Sequence, residues 1–258
     1  METIKRLFEK AIENPYMYKL YTFRLKGPQK VKLFYKTEDL NKEYYEKIKD
    51  LGYRELEHQI GRLVNFKNIV RDCASLEGDF VEFGCWRGFS LLWMAYFMER
   101  NAIFGKKLIG LDGFIGLPYS DGGFRKGKFS NTSRKECRDN LLKSDELYDE
   151  IKKKVFVGKF LYEEKEAILN YFKRLRVDKL CFIHIDCDIS QSAKQIFEIL
   201  VEGDLIADKA FMLFDDYGIE ETLREEIEKY FATQRDRWNI SVHSESKLTK
   251  NFIFEKKK

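Results

Sequence analysis

Short apolar runs alternate along most of the chain with stretches of helical periodicity. The runs predict strands at Asp79–Phe83, Leu108–Leu111, Val155–Val157, Leu180–Ile185 and Ala210–Phe214. The periodic stretches predict helices near Ser90–Arg100, Thr132–Lys143, Glu163–Lys173, Ser190–Val201 and Glu220–Thr233. The fourth is the plainest, with Ala193, Ile196, Phe197, Leu200 and Val201 on one face. A longer amphipathic helix over 55–74, with Ile60, Leu63, Val64, Ile69 and Val70 as its apolar side, leads into the first strand. Two late β-rich runs, Asn239–His243 and Asn251–Glu255, fit a hairpin at one edge. Alternation of this kind means an α/β fold: a doubly wound, mostly parallel seven-stranded sheet with helices on both faces.

Residues 1–54 follow a different pattern. Ile4, Leu7, Phe8 and Ile12 have helical spacing, an aromatic and basic stretch runs from Tyr16 to Tyr35 around Pro28, and a second helix is expected from Thr37 to Asp50. This predicts an N-terminal helical cap on a main domain of residues 55–258. Such a cap serves packing or dimer contact, or else shapes a substrate pocket.

A chain of 258 residues buries roughly 70–75% of its surface on folding and needs no staples. Its five cysteines, Cys73, Cys85, Cys137, Cys181 and Cys187, are scattered without a C-x-x-C pair. That argues against a disulfide framework or a zinc site and for a reducing compartment. The amino terminus is charged from residue 2, unlike a signal peptide, and the longest apolar run, Leu91 to Met98, is too short to span a bilayer. A cytoplasmic protein without a membrane partner is expected. The net charge of +4 owes three charges to Lys256, Lys257 and Lys258, so the body is nearly balanced and nucleic acid is a poor candidate partner. An anionic small substrate remains open.

Chemistry concentrates at the strand ends. Glycines at 84 and 88 turn the first strand into the following helix, the arrangement that opens a nucleotide-type pocket at the carboxyl edge of a parallel sheet. Six acids stand at the ends of four strands: Glu82, Asp112, Asp186, Asp188, Asp215 and Asp216. One strand-end aspartate is commonly a turn former or helix cap, and Asp188 fits that role. Six on one edge repel one another, so something cationic should sit among them. Asp112 stands where an acid accepts the hydroxyls of a cofactor ribose. Asp186 with the Asp215–Asp216 pair supplies hard oxygen ligands for Mg²⁺ or Mn²⁺. His184 alternates with apolar residues within its strand and reads as a core histidine. The glycine-rich connection from Gly113 to Ser130, with Arg125, Lys126 and Lys128, is either a solvated loop or a lid whose cations meet an anionic substrate.

A dinucleotide fingerprint would need glycines at 86 and 89, where this chain has Trp86 and Phe89. Bulk there blocks the backbone approach a pyrophosphate requires, which weakens a nicotinamide reading. A cofactor with adenosine but no phosphates, such as S-adenosylmethionine, tolerates it.

The segments VEFGCWRG (Val81–Gly88), LDGFIGLP (Leu111–Pro118), VGKF (Val157–Phe160), HIDCDISQS (His184–Ser192) and FDDYG (Phe214–Gly218) resemble the macrocin and mycinamicin sugar O-methyltransferases, class I enzymes dependent on S-adenosylmethionine and a divalent metal. The blocks span residues 78–220 in the family's order. The resemblance implies a class I methyltransferase, Rossmann-like fold. It implies that Glu82, Gly84, Trp86, Arg87 and Ser90 line the methionine end of the cofactor. It further places Asp112 on the ribose, Gly113 and Phe114 near the adenosine, and Gly158, Lys159 and Phe160 beside the adenine. Asp186, Asp215 and Asp216 are implied as metal ligands, with Asp186 also at the cofactor and the reacting centre, and Asp188 as the general base. The family more often reads G-x-W-R-G-G, D-S-F-E-G-L-P and D-G-D-L-Y-E-S. This chain departs from it at Phe89, Gly113, Ile115, Cys187, Ile189, Ser190 and Gln191, which leaves the acceptor open. A homo-oligomer is a family-level expectation.

A sugar hydroxyl, near pKa 15.7, lies about 12 units above an ordinary aspartate, so full proton transfer to Asp188 alone would cost roughly 16 kcal/mol. A divalent cation that stabilises the developing oxyanion narrows that gap. The expected function is therefore metal-dependent methylation of a sugar hydroxyl, on a nucleotide-activated sugar for capsule or surface-polysaccharide synthesis or on a glycosylated metabolite. A catechol-like phenol acceptor, a Rossmann NAD oxidoreductase and a non-catalytic cofactor-binding sensor are the alternatives.

Overall fold

The computed structural model describes residues 54–258 apart from 145, 146 and 247, and of residues 54–60 the backbone alone. The cap expected ahead of residue 54 lies outside the described residues, as does the side chain of Ile60. In chain order the elements are α1 (Arg54–Asp72), β1 (Asp79–Phe83), α2 (Phe89–Arg100), β2 (Leu108–Asp112), α3 (Arg134–Leu142), α4 (Asp149–Lys152), β3 (Val155–Lys159), α5 (Lys165–Leu175), β4 (Leu180–Ile185), α6 (Ser190–Glu202), β5 (Ile206–Phe214), α7 (Glu221–Gln234), β6 (Trp238–Glu245) and β7 (Lys250–Lys256).

The strands form one sheet in the order β3-β2-β1-β4-β5-β7-β6. Only β7 runs against its neighbours, pairing antiparallel with β5 on one side and β6 on the other. This is the class I methyltransferase fold. The predicted hairpin exists, with β7 rather than β6 next to the parallel strands.

Burial on both faces explains why the inner strands read as apolar runs rather than as alternations. Phe80 and Phe182 pack with Phe66, Ile69 and Val70 of α1 and with α2, whereas Val81, Phe83, Ile183 and Ile185 face α5, α6 and α7. On α1 the buried stripe includes Phe66 beside the expected Leu63, Val64, Ile69 and Val70, and Cys73 just past its end continues it. On α6 Ile199 is buried and Val201 is exposed, a shift of phase from the expected face. α3 starts at Arg134 because the Ser133 hydroxyl accepts the Glu136 N–H at 3.1 Å, a hydrogen bond that satisfies an otherwise orphaned helix donor. β5 begins four residues earlier than its apolar run, where exposed Asp208 and Lys209 break the pattern.

Register carries the consequence for function. Phe83 pairs with Ile185, and Ile185 with Phe214, so the loops after β1, β4 and β5 start side by side. The Asp186 N–H donates to Phe83 O at 2.9 Å and the Asp215 N–H to Ile185 O at 3.0 Å. The strand order reverses between β1 and β4, and at such a switch point the flanking loops diverge and leave a crevice.

Candidate active site

Gly84 ends β1 with φ at 93°, and a Cβ there would lie 1.7 Å from the Asp186 carbonyl oxygen. Only a residue without a side chain lets the β1 and β4 loops touch at this point. Two residues on, the Trp86 N–H donates to Asp112 Oδ2 at 2.8 Å, and the Phe114 N–H donates to Asp112 Oδ1 at 2.6 Å. One carboxylate thus ties the loops after β1 and β2 together. Burial raises the Asp112 pKa against the pull of these two donors. Each of its oxygens keeps a second lone pair, so it can still accept from a ribose. On the same side Lys159 pairs in register with Asp112, the Phe160 N–H donates to Asp112 O at 3.0 Å, and the Phe160 ring packs on Tyr171. Gly113, Phe114, Gly158, Lys159 and Phe160 are therefore assembled along the β2–β3 side of the crevice. Trp86 sets its ring edge against Phe129, and its buried indole Nε1 has no partner. Arg87 lies over the Trp86 ring, donates to Asn131 O at 2.8 Å and pairs with Glu136 at 3.2 Å. Its guanidinium is thus engaged with the segment leading into α3.

Glu82 and His184 are register partners on the face toward α1. Both are fully buried, and His184 Nδ1 lies 2.9 Å from Glu82 Oε1. If Glu82 is ionised it only accepts, and Nδ1 is then the donor. The Ser90 hydroxyl donates to the same oxygen. Phe66 closes the group edge-on against the imidazole at 5.0 Å. Serine and histidine both bind the acid and not each other, so this is no nucleophile–base pair. Glu82 Oε2 and His184 Nε2 are buried without partners. Among the described residues, Glu82, His184 and Asp186 are the acids and histidine whose donor atoms lie within 4.8 Å of one another. Asp186, Asp215 and Asp216 do not form such a group.

The reason stands between them. Arg62, from α1, places Nη2 2.8 Å from Asp186 Oδ2 and Nη1 3.1 Å from Asp215 Oδ2. Burial works against its charge but is outweighed by Asp215, Asp186, Glu82 and Asp216, so its pKa rises. The cation expected among the strand-end acids is in part an arginine. Among the described residues, Arg62 is the cation seen in ion pairs with these acids, at Asp186 and Asp215. Burial first, then the neighbouring carboxylates, pushes Asp186 and Asp188 well above the ordinary range, against the pull of Arg62. Lys128 also opposes the rise at Asp188. Carboxylate oxygens are hard donors of the kind that suit a divalent ion of the Mg²⁺ type.

The Gly113–Ser130 connection is anchored to this edge at a few residues, while much of it is exposed to solvent. Leu117 and Phe124 pack with Ile189 beyond β4. Asp121 accepts the Ser190 N–H at 2.7 Å and also its hydroxyl, capping α6 from outside the helix. Burial raises the Asp121 pKa, but these donors outweigh it and the net shift is downward. The Gly123 N–H reaches Glu220 at 3.2 Å. Lys128 lies over Phe124 and Phe129 at 4.1 and 4.7 Å, and Arg125, Lys126 and Lys128 are all exposed.

Arg62 and Asp121 are the participants that motif reading missed. Arg62 carried a signal: helical phase puts it in the stripe of Phe66, Ile69 and Cys73, where a charge must find a buried partner.

The family model described as Macrocin-O-methyltransferase (TylF) matches residues 51–241. No curated protein matches the chain. Among solved structures, the O-methyltransferase NovP superposes with a TM-score of 0.62 at 18% identity, over 77% of this chain and 81% of NovP. The calicheamicin methyltransferase CalS11 gives 0.60 at 14% identity, over 97% and 90%. Its apo form, described as a TDP-rhamnose 3'-O-methyltransferase, gives 0.50 at 14%, over 75% and 79%. At these identities the likeness is one of fold.

Proposed function

Because the chain belongs to the macrocin-O-methyltransferase (TylF) family, and is thereby an O-methyltransferase, we propose that it moves the methyl group of S-adenosylmethionine to a sugar hydroxyl. The observation that carries this reading is the crowding of Asp186, Asp188, Asp215 and Asp216 at the switch point, beside an adenosine-type crevice bounded by Asp112 and Phe160. The acceptor we favour is a nucleotide-activated sugar with vicinal hydroxyls, of the kind used for surface polysaccharides. The lid cations Arg125, Lys126 and Lys128 would meet its phosphates.

Asp186, Asp215 and Asp216, whose oxygens do not all lie within one ion's reach in this structure, would have to draw together to hold a Mg²⁺ or Mn²⁺ ion. When bound, the ion would stabilise negative charge developing on the acceptor oxygen. Asp188 takes the proton of the attacking hydroxyl. Its raised pKa makes it a stronger base than an ordinary aspartate, which shortens the uphill step. The hydroxyl oxygen forms the new C–O bond as the sulfonium C–S bond breaks, which leaves a methyl ether and S-adenosylhomocysteine. Asp112 orients the cofactor through its ribose, and the lid, pinned by Asp121 and Glu220, excludes water. Holding hydroxyl and sulfonium in line is where much of the acceleration arises.

The test is incubation of a panel of nucleotide sugars and catechols with S-adenosylmethionine and Mg²⁺, read by mass spectrometry. A gain of one methylene on a nucleotide sugar, lost in chelator and in Asp215→Asn, is expected. Methylation at full rate in chelator by Asp186→Asn and Asp215→Asn proteins would overturn the metal-assisted reading. Methylation of catechols alone would overturn the sugar.

A further inference from the structure

The floor of the crevice holds a group that methyl transfer leaves unused. Glu82 of β1 and His184 of β4 are register partners, and both are fully buried. Asp186 follows His184 by two residues and keeps 18% of its side chain exposed. The three residues offer donor atoms that all lie within 4.8 Å of one another. His184 Nδ1 and Glu82 Oε1 already stand 2.9 Å apart. Two donors adjacent around one ion, at bonds of about 2.1 Å, are about 3 Å apart, and donors opposite each other about 4.2 Å. The group therefore needs at most about 0.6 Å of closure to make one shell. Burial gives a second, independent sign. Glu82 Oε2 and His184 Nε2 are buried and have no hydrogen-bond partner. Polar atoms left unmet in a dry core mark a bound ion or water. Two carboxylates beside an imidazole offer lone pairs in plenty, which suits a cation better than water. Arg62 holds Asp186 by Oδ2, and Oδ1 lies outside that bridge. The arginine repels any ion nearby, so the site needs a strong donor, and the imidazole is one.

We propose that Glu82, His184 and Asp186 form a site for one divalent first-row transition ion, of the Fe²⁺, Co²⁺ or Zn²⁺ class, at the floor of the crevice. One imidazole with two carboxylates is a mixed nitrogen and oxygen set, which favours those ions over Mg²⁺. The site takes no ligand from Asp215 or Asp216 and none from cysteine. Asp186 is the way in, since its side chain is partly exposed while those of Glu82 and His184 are not. The Ser90 hydroxyl, which donates to Glu82, and Phe66, edge-on to the imidazole at 5.0 Å, hold two of the ligands in orientation. Outer partners of metal ligands act in this way. The ion ties β1 to β4 just below the point where their loops meet, and so steadies the loop that carries Asp188.

The experiment titrates the metal-stripped, full-length protein with Mn²⁺ and follows the ion by electron paramagnetic resonance, with folding checked by circular dichroism. Wild type should bind Mn²⁺ saturably, and pulsed spectra of the bound ion should show coupling to an imidazole nitrogen. Zn²⁺ should displace that ion at least about 10-fold more effectively than Mg²⁺. Loss of an outer partner alone weakens a metal site about 10- to 100-fold, so Glu82→Gln and His184→Gln should each weaken the nitrogen-coupled ion at least about 10-fold. Asp216→Asn should stay within a few-fold of wild type. If neither ligand variant folds, the nitrogen coupling in wild type decides alone. Bound Mn²⁺ without nitrogen coupling, lost in Asp216→Asn, would overturn the proposal and place the ion on the outer acids. No saturable Mn²⁺ in wild type would overturn it as well. Methyl transfer is read separately, by the mass of the acceptor, so its failure and the failure of this site are distinct results.

Discussion

Gly84→Ala is the smallest change that should separate the active-site geometry from the fold. The new methyl carbon would sit 1.7 Å from the Asp186 carbonyl oxygen and 2.6 Å from its carbonyl carbon, both backbone atoms that cannot rotate away. Ordinary contact needs about 3.4 Å, so the two loops must part by roughly 1.7 Å. The φ of 93° adds strain for any side-chain-bearing residue, of order 1–2 kcal/mol in the left-handed region. Overpacking adds about 1–3 kcal/mol. The stability loss should therefore be about 2–5 kcal/mol, enough to lower the melting temperature visibly. The functional loss should be larger in kind, because the loop that moves carries Asp186 and Asp188. Misplacement by about 1 Å can cost about 100-fold in rate. The assay is kcat for methyl transfer beside thermal unfolding, at a temperature where the variant is fully folded. Gly105→Ala is the control, since a Cβ there meets nothing within 4 Å. A Gly84→Ala protein with wild-type melting and kcat within a few-fold would refute the claim that contact between these loops sets the site.

Two further outcomes follow from the same edge. Asp186 and Asp188 are raised by burial and mutual repulsion, so the folded, metal-free protein binds more protons than the unfolded chain above the ordinary carboxylate value. Its stability should fall as pH rises through that window, by at most about 1.4 kcal/mol per pH unit for each group. Asp121, Asp139 and Asp204 are lowered and act below the ordinary value instead. Urea unfolding in chelator across mildly acidic to neutral pH should show the decline, and saturating Mg²⁺ should flatten it; a flat metal-free profile would count against the crowding. Asp121→Ala removes the external cap of α6 and should cost about 1 kcal/mol, or about 2–4 °C in melting temperature for a domain of this size. Cleavage by trypsin within the Gly113–Ser130 segment should quicken, and an unchanged digestion pattern would mean the lid is held elsewhere.

How far this site can be read from sequence depends on how local its determinants are. The strands were legible because a strand buried on both faces is an apolar run, and the acids were legible because each stands at or just past the end of such a run. β3 was read short because Gly158 and Lys159 continue the pairing without continuing the pattern. α4, four residues long, is too short to show a period. The long-range partners were harder. Arg62 is 124 residues from Asp186 and Asp121 is 69 from Ser190. No spacing rule links them; only topology does. Trp86 and Arg87 sit in one motif, yet the backbone of the first binds Asp112 while the side chain of the second turns toward Asn131.

Backbone strain gives independent reason to place the chemistry at this edge. Among the described residues, eight other than glycine have positive φ. Ala102, Arg176 and Asp204 follow α2, α5 and α6, where a left-handed residue ends a helix and its neighbours satisfy the last carbonyls. Ile103 bonds to Met98, Val177 to Phe172 and Leu205 to Leu200 in the same way. Phe129 lies in the lid. The other four, Trp86, Phe114, Asp188 and Asp216, follow β1, β2, β4 and β5 in turn, and none of them ends a helix. Aspartate tolerates this conformation, but tryptophan and phenylalanine gain nothing local from it, at a cost of about 1–2 kcal/mol each. A fold with a net stability of only about 5–15 kcal/mol holds such residues where the surroundings over-determine them. Here Asp112 does so, accepting the N–H of both aromatic residues at once. Replacing Asp112 with alanine should therefore relax both loops together, and their exchange-protected amides should be lost as a pair. Loss at Trp86 with protection kept at Phe114 would show the two turns to be independent.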